Sequence, residues 1–211
     1  MTNQIISFRE FLKTGILGPL STDMKLIDVA EALGVPTFFF LHPDTEDVPV
    51  YWGYNKLEIS FEVESPHPMQ WFQIEHAGGL EGDFEAISDK ILLALDGFNG
   101  DTKPSEFLLG ELWNPDEVIV NLGALADDIA LNICAGKISV LFQLDSTFIV
   151  DGDAERYIVT ADIIQIINDI DGRTSLDSVY SHLSAEDAIK SNTWRHPIRI
   201  TGREYLKAIS I

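Results

Sequence analysis

The sequence contains a single cysteine, Cys134, among 211 residues. An intrachain disulfide is therefore excluded, and the fold has to depend on a hydrophobic core, for which the chain is long enough. Apolar residues make up 45% of the sequence, which is typical of a globular protein and argues against charge-driven disorder. Because Cys134 lies within an apolar stretch, we expect a buried, unreactive thiol.

Positive charge is also scarce. Lysine and arginine together number 14 against 34 aspartate and glutamate residues, which gives a formal net charge of -20. A chain with this charge is repelled by nucleic-acid phosphates and by anionic membrane surfaces, and it is attracted to basic surfaces. The composition therefore predicts a basic protein partner, with no nucleic-acid partner and no membrane partner.

The negative charge is unevenly distributed along the chain. Residues 57–136 contain 16 acidic residues and two basic ones, Lys90 and Lys103. Residues 191–211 contain four basic residues and one acidic residue, Glu204. Four dispersed cations are too few for nucleic-acid binding, so we expect this basic tail to pack across the acidic part of the chain.

The sequence also has no long apolar run and no recognisable targeting signal. No segment approaches the roughly 18 consecutive apolar residues that a membrane-spanning helix needs. The first residues do not combine a basic stretch with an apolar core, as a signal peptide does. We therefore expect a cytoplasmic protein.

The motifs of common catalytic and nucleotide-binding sites are missing as well. The sequence has no G-x-S-x-G elbow, no G-x-x-x-x-G-K-[ST] loop and no G-x-G-x-x-G fingerprint. The glycine-rich residues 78–83 include Glu81 and Asp83, whose charges would oppose a bound phosphate. The sequence accordingly predicts no catalytic residue and no cofactor.

A metal site is not expected from the sequence. Asp151, Asp153, Glu155 and Asp162 have the spacing of positions 1, 3, 5 and 12 of a calcium-binding loop. That loop requires glycine at position 6 for its sharp turn, where this chain has Arg156. The five histidines form no pair at metal-ligand spacing.

Alternating apolar and polar residues predict a series of β-strands. The pattern is clearest in residues 57–63, which reads as a half-buried antiparallel strand. Gly136 separates two alternating stretches and indicates a hairpin. The strands predicted in this way are residues 48–54, 57–63, 69–75, 129–135, 138–144, 147–150 and 156–160.

Apolar residues at spacings of three and four predict the helices. Ser21 is expected to cap the second helix, and Thr201 with Glu204 has the spacing of a capping box before the last one. The predicted helices are residues 4–14, the segment from Ser21 to Leu33, residues 83–96, 104–110, 161–170 and 175–183, and a short C-terminal helix.

The order of these elements predicts the fold class. Strands and helices do not alternate regularly, so a doubly wound parallel sheet is disfavoured. We expect an α+β fold with a mainly antiparallel sheet and helices packed on one face. Residues 1–100 and 101–211 form either two similar α+β sub-domains or one continuous domain.

Acidic residues surround several aromatic residues in the first half of the chain. This mixture suits an interface with a basic partner, because aromatic side chains provide buried anchors and carboxylates provide attraction over a distance. The alternative interpretation is a solvated acidic rim around ordinary core aromatics. The predicted partner-binding residues are Asp44, Glu46, Asp47, Trp52, Glu62, Glu64, Trp71, Glu81, Asp83 and Glu85.

Residues 11–62 resemble small bacterial proteins, some of which are immunity proteins of toxin systems. The chain departs from their pattern at Asp23-Met24, where a Gly-Met pair usually opens the helix. The segments that carry the resemblance are Leu17-Gly18-Pro19-Leu20, Ala32-Leu33-Gly34-Val35-Pro36, Trp52-Gly53-Tyr54 and Leu57-Glu58-Ile59-Ser60-Phe61.

The resemblance and the charge together favour a non-enzymatic acidic binding protein, an immunity protein that neutralises a basic bacterial toxin. An enzyme of unknown class, with a site built from dispersed His and Asp/Glu residues, is the alternative. A deep pocket that joins His67 or His76 to a carboxylate would favour that alternative. An oligomeric structural or regulatory protein is a third option.

Overall fold

The computed structural model describes residues 4–42, 45–125, 127–144, 153–191 and 194–209. Within these residues the chain forms an α+β structure with a nine-stranded antiparallel sheet, a three-stranded mixed sheet and seven α-helices. The predicted fold class is therefore confirmed.

The first half of the chain is rich in strands. It also contains two helices and, at Ala77–Gly79, one short 3-10 helix. In chain order the elements are β1 (Gln4–Ser7), α1 (Phe8–Thr14), α2 (Leu26–Leu33), β2 (Phe38–His42), β3 (Thr45–Tyr54), β4 (Leu57–Phe61), β5 (Met69–Ile74), β6 (Phe84–Ala86) and β7 (Ile91–Ala94).

The second half of the chain contains most of the helices. Its elements, again in chain order, are α3 (Pro104–Leu109), β8 (Ile119–Leu125), β9 (Asp128–Ala135), β10 (Ile138–Leu144), α4 (Ala154–Thr160), α5 (Ile163–Arg173), β11 (Ser175–His182), α6 (Ala185–Lys190), β12 (Arg195–Thr201) and α7 (Gly202–Ile209).

The large sheet takes strands from both halves of the chain. Its order is β12-β8-β9-β10-β11-β5-β4-β3-β2, and β11 pairs with β10 on one side and with β5 on the other. Val179 of β11 lies opposite Val140 and Ile74 in these two ladders. One hydrophobic core contains residues from both halves. The division of the chain near residue 100 stays a prediction.

The strands with the clearest alternation form as predicted. β3, β4 and β5 make an antiparallel meander, in which Leu57, Ile59 and Phe61 are buried. β9 and β10 form the expected hairpin, and Gly136 in its turn has a φ of +58°, which favours glycine. Cys134 on β9 is buried, as expected.

The prediction of a helix at residues 175–183 is wrong, because these residues form β11. A bulge in the ladder with β10 moves the partner of Leu141 to Ser178 and that of Phe142 to Leu176. The extra residue gives the buried side chains of Leu176 and Val179 a spacing of three. That spacing is also typical of a helix, and therefore the pattern misleads.

The prediction of a helix at residues 83–96 is also wrong, because a hairpin of β6 and β7 occupies this range. Phe84 is 52% exposed, while Ile91, Leu93 and Leu95 are buried with the period of a strand. β7 pairs in parallel with β1, so residues 4–7 form a strand and only the rest of the predicted first helix is helical.

Two further sequence predictions are wrong, and a third concerns residues outside the described ones. Residues 156–160 belong to the helix α4 instead of a strand, and Asp153 caps it by accepting a hydrogen bond from the Arg156 amide. Residues 147–150 lie outside the described residues. The second helix begins after Lys25, so Ser21 does not cap it. Strands β2, β8 and β12 were not expected.

Helices α1 and α3 bury aromatic side chains against the inner face of the large sheet, which we define as the face on the hydrophobic core. Phe11 stacks on Phe72 of β5 with ring centroids 5.7 Å apart, and Phe107 packs edge-on against Phe142 of β10 at 5.6 Å. The short helix α6 lies against β9, β10 and β11 on the opposite, outer face, where the Cys134 thiol approaches the Ala188 carbonyl at 3.6 Å.

Basic residues near the C-terminus form ion pairs with carboxylates elsewhere in the chain. Arg203 of α7 contacts Asp116 at 3.0 Å, and Arg195 of β12 contacts Glu155 at 2.6 Å. These pairs are exposed, so each contributes little to stability. They do place positive charge against the acidic body, which relieves part of its self-repulsion.

A buried carboxylate joins three of the helices on the core side. Asp171 of α5 accepts hydrogen bonds of 2.8 Å from both the amide and the hydroxyl of Ser105 in α3. It also accepts a hydrogen bond of 3.2 Å from the buried Tyr205 hydroxyl in α7. Because Asp171 is only 8% exposed, removal of its carboxylate would leave buried donors without an acceptor.

We expect the substitution Asp171→Ala to lower the free energy of unfolding by about 3 kcal/mol, because the Tyr205 hydroxyl and the Ser105 amide lose their acceptor. Urea denaturation followed by circular dichroism measures the change. The exposed Asp101→Ala variant is the control and should differ from the parent by less than about 0.5 kcal/mol. Equal effects of the two substitutions would contradict the structural role of Asp171.

Candidate functional site

A row of aromatic rings crosses the outer face of the large sheet. Consecutive ring centroids along the row are 5.7, 5.8, 5.8, 5.6 and 5.5 Å apart. We call this set the aromatic row. Its members are Phe38, Phe40, Tyr51, Trp71, Tyr180 and His182.

The aromatic row is continuous because a small residue lies at its centre. Ser60 of β4 lies between Tyr51 of β3 and Trp71 of β5 in the strand register. Its hydroxyl is small enough for the two larger rings to meet in an edge-to-face contact. The row runs from Phe38 at the sheet edge, which is 36% exposed, to His182, which is 5% exposed.

The buried end of the aromatic row opens into a cavity of about 530 Å³ between the sheet and α6. We call it the sheet cavity. Its lining combines aromatic rings with carboxylates and amides, and it contains no lysine or arginine among the described residues. The side chains that matter most for its chemistry are Glu62, Gln70, Trp71, Asn132, Ser139, Tyr180, His182, Asp187 and Trp194.

A second cavity extends the first toward the sheet edge. It has a volume of about 380 Å³ and is lined in part by Phe40, Tyr51 and Ser60. Gln70 lines both cavities and accepts a hydrogen bond of 2.9 Å from the Ser60 hydroxyl. The two cavities are neighbours on the outer face, with Gln70 in the wall of each, and we call them together the recess.

Ser139 and His182 form a hydrogen-bonded pair within the lining of the sheet cavity. The Ser139 Oγ atom is 2.8 Å from His182 Nε2, and both residues are buried. Burial lowers the pKa of His182 to about 4, against a smaller opposing effect of the Asp187 charge. His182 is consequently neutral near pH 7 and adds no positive charge to the cavity.

A second group of polar side chains lies beside the aromatic row. The Gln73 amide donates a hydrogen bond of 2.7 Å to Glu58 and another to Glu75, and the Tyr51 hydroxyl also donates to Glu58. Burial, followed by the nearby Glu58 carboxylate, raises the pKa of Glu75 to about 7. Burial also raises the pKa of Tyr180 to about 12. Glu58 and Glu75 thus flank the aromatic row on this side, while Glu62 and Asp187 line the sheet cavity.

The raised pKa of Glu75 predicts a stability that depends on pH. The pKa rises from an ordinary value of 4.5 to about 7, so folding favours the protonated carboxyl. The associated stability is fully present below about pH 4.5 and is lost as the pH rises through about 7. Glu75→Gln, which imitates the protonated form, should therefore be more stable than the parent by about 1 kcal/mol at pH 8, after allowance for solvent screening.

Urea denaturation of both proteins between about pH 4 and pH 8 measures this difference. The difference should approach zero at the acidic end of the range. Glu81→Gln is the control, because Glu81 is exposed and removed from this cluster. A difference between Glu75→Gln and the parent that stays constant with pH would show that protonation of Glu75 is not its cause.

The structure brings together two of the residues predicted to bind a partner. Trp71 and Glu62 both line the sheet cavity. Trp52 instead points into the core, where it is 5% exposed and packs against Phe61, so it is not available to a partner. Its neighbour Tyr51, on the opposite face of the same strand, joins the aromatic row.

The remaining predicted residues do not line the sheet cavity. Glu64, Glu81 and Asp83 are exposed, and Glu85 forms an ion pair with Lys56 at 3.3 Å. Asp44 lies outside the described residues, and so do the side chains of Glu46 and Asp47.

His67 and His76, either of which could have met a carboxylate in an enzyme site, do not line the sheet cavity. His67 contacts the backbone carbonyl of Glu62 through Nδ1 at 3.1 Å, and His76 is exposed beside a small pocket that Asp177 also lines. Within the calcium-like spacing, Asp153 and Asp162 cap helices α4 and α5. Among the described residues, no group of three or more metal-binding side chains could hold an ion.

Several residues of the site were missed at the level of sequence. Ser139 lies on a correctly predicted strand. It is a polar residue that alternates with buried Val140, and this alternation was a usable signal. Tyr180 and His182 were not recognised, because residues 175–183 were wrongly predicted to form a helix. The exposed Phe40 lies on a strand that no alternation indicated.

No protein-family model, curated protein or solved structure matches this chain. No helix in the described parts of the chain combines the length and apolar character needed to cross a membrane. The fold and the site therefore define the molecule by themselves as an α+β protein with an acidic, aromatic-lined recess on the outer face of its large sheet.

Proposed function

We propose that this chain is a non-enzymatic, cytoplasmic binding protein that receives a basic protein on the outer face of its large sheet. An immunity protein that neutralises a cationic bacterial toxin is the type of protein that fits best. The observation that carries the proposal is the combination, on one face, of the aromatic row with carboxylates and a cavity that has no lysine or arginine among the described residues.

The aromatic side chains supply the anchor of such an interface. Trp and Tyr are enriched among the residues that dominate binding energy, because they bury a large area with little loss of conformational entropy. Trp71 and Tyr180 are half-buried and hold each other in place with ring centroids 5.6 Å apart. A partner would therefore meet a surface that is largely pre-organised.

The carboxylates supply selectivity for a basic partner. Glu62 and Asp187 line the recess, and Glu58 and Glu75 flank it. A protein with a net charge of -20 also accelerates encounter with a cationic surface and disfavours acidic competitors. A toxin that uses a basic cleft to bind nucleic acid would have that cleft covered, and its substrate would be excluded.

The proposal predicts that Trp71→Ala weakens binding to the basic toxin that it calls for, sought first among the neighbouring genes, by about thirtyfold, which corresponds to about 2 kcal/mol. Isothermal titration calorimetry measures the dissociation constant, and a co-expression assay measures protection of cells from the toxin. Phe84→Ala is the matched control, because Phe84 is 52% exposed but lies on the small sheet. Its affinity should remain that of the parent.

The affinity of the parent protein should also fall as the salt concentration rises from about 50 mM to about 300 mM, because the charges are screened. Loss of binding in both variants alike, or an affinity that is independent of salt, would contradict docking on this face. Light scattering of the free protein separates this proposal from an oligomeric structural role, which would require a defined assembly without the toxin.

A hydrolytic enzyme is the second candidate, and the Ser139–His182 pair favours it. A serine Oγ 2.8 Å from a histidine Nε2 has the spacing of a nucleophile and its base, and Asp187 lines the same cavity. Against this, Ser139 is 1% exposed and lies on a strand paired on both sides. Because so little of Ser139 is exposed, a substrate in the cavity would have little access to its Oγ atom.

A fluorophosphonate probe, which reacts with activated serine hydroxyls, tests this second candidate. Mass spectrometry should locate the adduct on Ser139 if the pair is catalytic, and Ser139→Ala should abolish it. If the parent protein is not labelled, the hydrolytic candidate is refuted, and the pair is a hydrogen bond that orients His182 at the end of the aromatic row.

A further inference from the structure

The sheet cavity has the composition of a site for one cationic side chain. Three aromatic residues, Trp71, Tyr180 and Trp194, contribute to its walls. Two carboxylates, Glu62 and Asp187, contribute negative charge to the same lining. Cations are attracted both to the faces of aromatic rings and to carboxylates, and the two attractions add within one recess.

We propose that the sheet cavity takes an arginine side chain of the basic partner, with its guanidinium against the rings of Trp71 and Tyr180 and within reach of Glu62 and Asp187. This inference rests on the proposed function, because it names the group that the partner inserts. Charge complementarity selects the occupant, since the described lining contains carboxylates and no lysine or arginine.

The shape and the amides of the cavity favour arginine over lysine. A volume of about 530 Å³ exceeds what a compact ammonium group needs and lies in the range of ordinary ligand pockets. A guanidinium is planar, stacks on aromatic faces and presents several donors in one plane. The Gln70 side-chain oxygen already accepts the Ser60 hydroxyl, and its second lone pair adds an acceptor that one of these donors would meet.

The floor of the cavity is compatible with a cation. His182 lies stacked on Tyr180 with ring planes 15° apart, and its hydrogen bond with Ser139 fixes its orientation. Burial keeps its pKa at about 4, so at neutral pH it does not repel a guanidinium.

The probe for this inference is the peptide acetyl-Gly-Arg-Gly-amide, titrated into the full chain while the indole signals of Trp71 and Trp194 are followed by NMR. The peptide acetyl-Gly-citrulline-Gly-amide is the matched ligand, because citrulline has nearly the same shape without the charge. We expect the arginine peptide to bind at least about tenfold more tightly than the citrulline peptide. The affinity for the corresponding lysine peptide, acetyl-Gly-Lys-Gly-amide, should lie between the affinities for these two peptides.

Variants of the protein localise the effect. Glu62→Gln with Asp187→Asn should weaken binding of the arginine peptide by about tenfold or more. Glu64→Gln with Glu186→Gln removes the same amount of charge from exposed positions outside the cavity lining, and it should leave the affinity within about twofold. Circular dichroism and thermal denaturation confirm that both double variants are folded.

Three results would overturn the inference: equal affinities for the arginine and citrulline peptides, no binding of the arginine peptide up to about 10 mM, or equal losses in the two double variants. If the peptide fails while the toxin binds with the expected dependence on Trp71, the arginine site is refuted and the proposed function stands. If the peptide binds as expected but no basic toxin does, the cavity site stands and the proposed function is refuted.

Discussion

The pairing of β11 with both β5 and β10 is the interaction on which the rest of the structure depends. Without β11, the meander of β2 to β5 and the strands β8, β9, β10 and β12 would be two separate sheets with exposed edges. Its insertion satisfies the backbone hydrogen bonds of both edges and buries Val179 between Ile74 and Val140. It therefore joins strands that precede residue 75 and strands that follow residue 118 into one surface.

The candidate site is a direct result of this strand order. Trp71 meets Tyr180, and Ser139 meets His182, because β5 and β10 are the two neighbours of β11. The core side of the same strands is filled by apolar side chains, so the polar and aromatic residues that alternate with them must lie on the outer face. α6 then closes one side of the recess and contributes Asp187. Only this arrangement brings carboxylates of the acidic chain to the aromatic row and the sheet cavity.

Local patterns were sufficient where the pairing partner is near in sequence. Residues 57–61 alternate strictly, and the hairpin around Gly136 brings two such strands together without help from distant segments. The same reasoning was wrong for β11, because a bulge spaces Leu176 and Val179 as in a helix. It was wrong for β6 and β7 because the pairing of β7 with β1, more than eighty residues away, and of β6 with β7 outweighs the helical spacing of their apolar residues.

The sequence by itself determined the α+β class, the buried cysteine, the acidic character and the alternation that buries Leu57, Ile59 and Phe61. Composition and short-range periodicity contain that information, since they depend on residue chemistry and on neighbours a few positions apart. Tertiary structure alone decided that Trp52 belongs to the core while Tyr51 joins the aromatic row, and that Tyr180, His182 and Asp187 complete the recess. Those outcomes depend on which strands become neighbours, and long-range pairing is settled by the free energy of the whole sheet and its core.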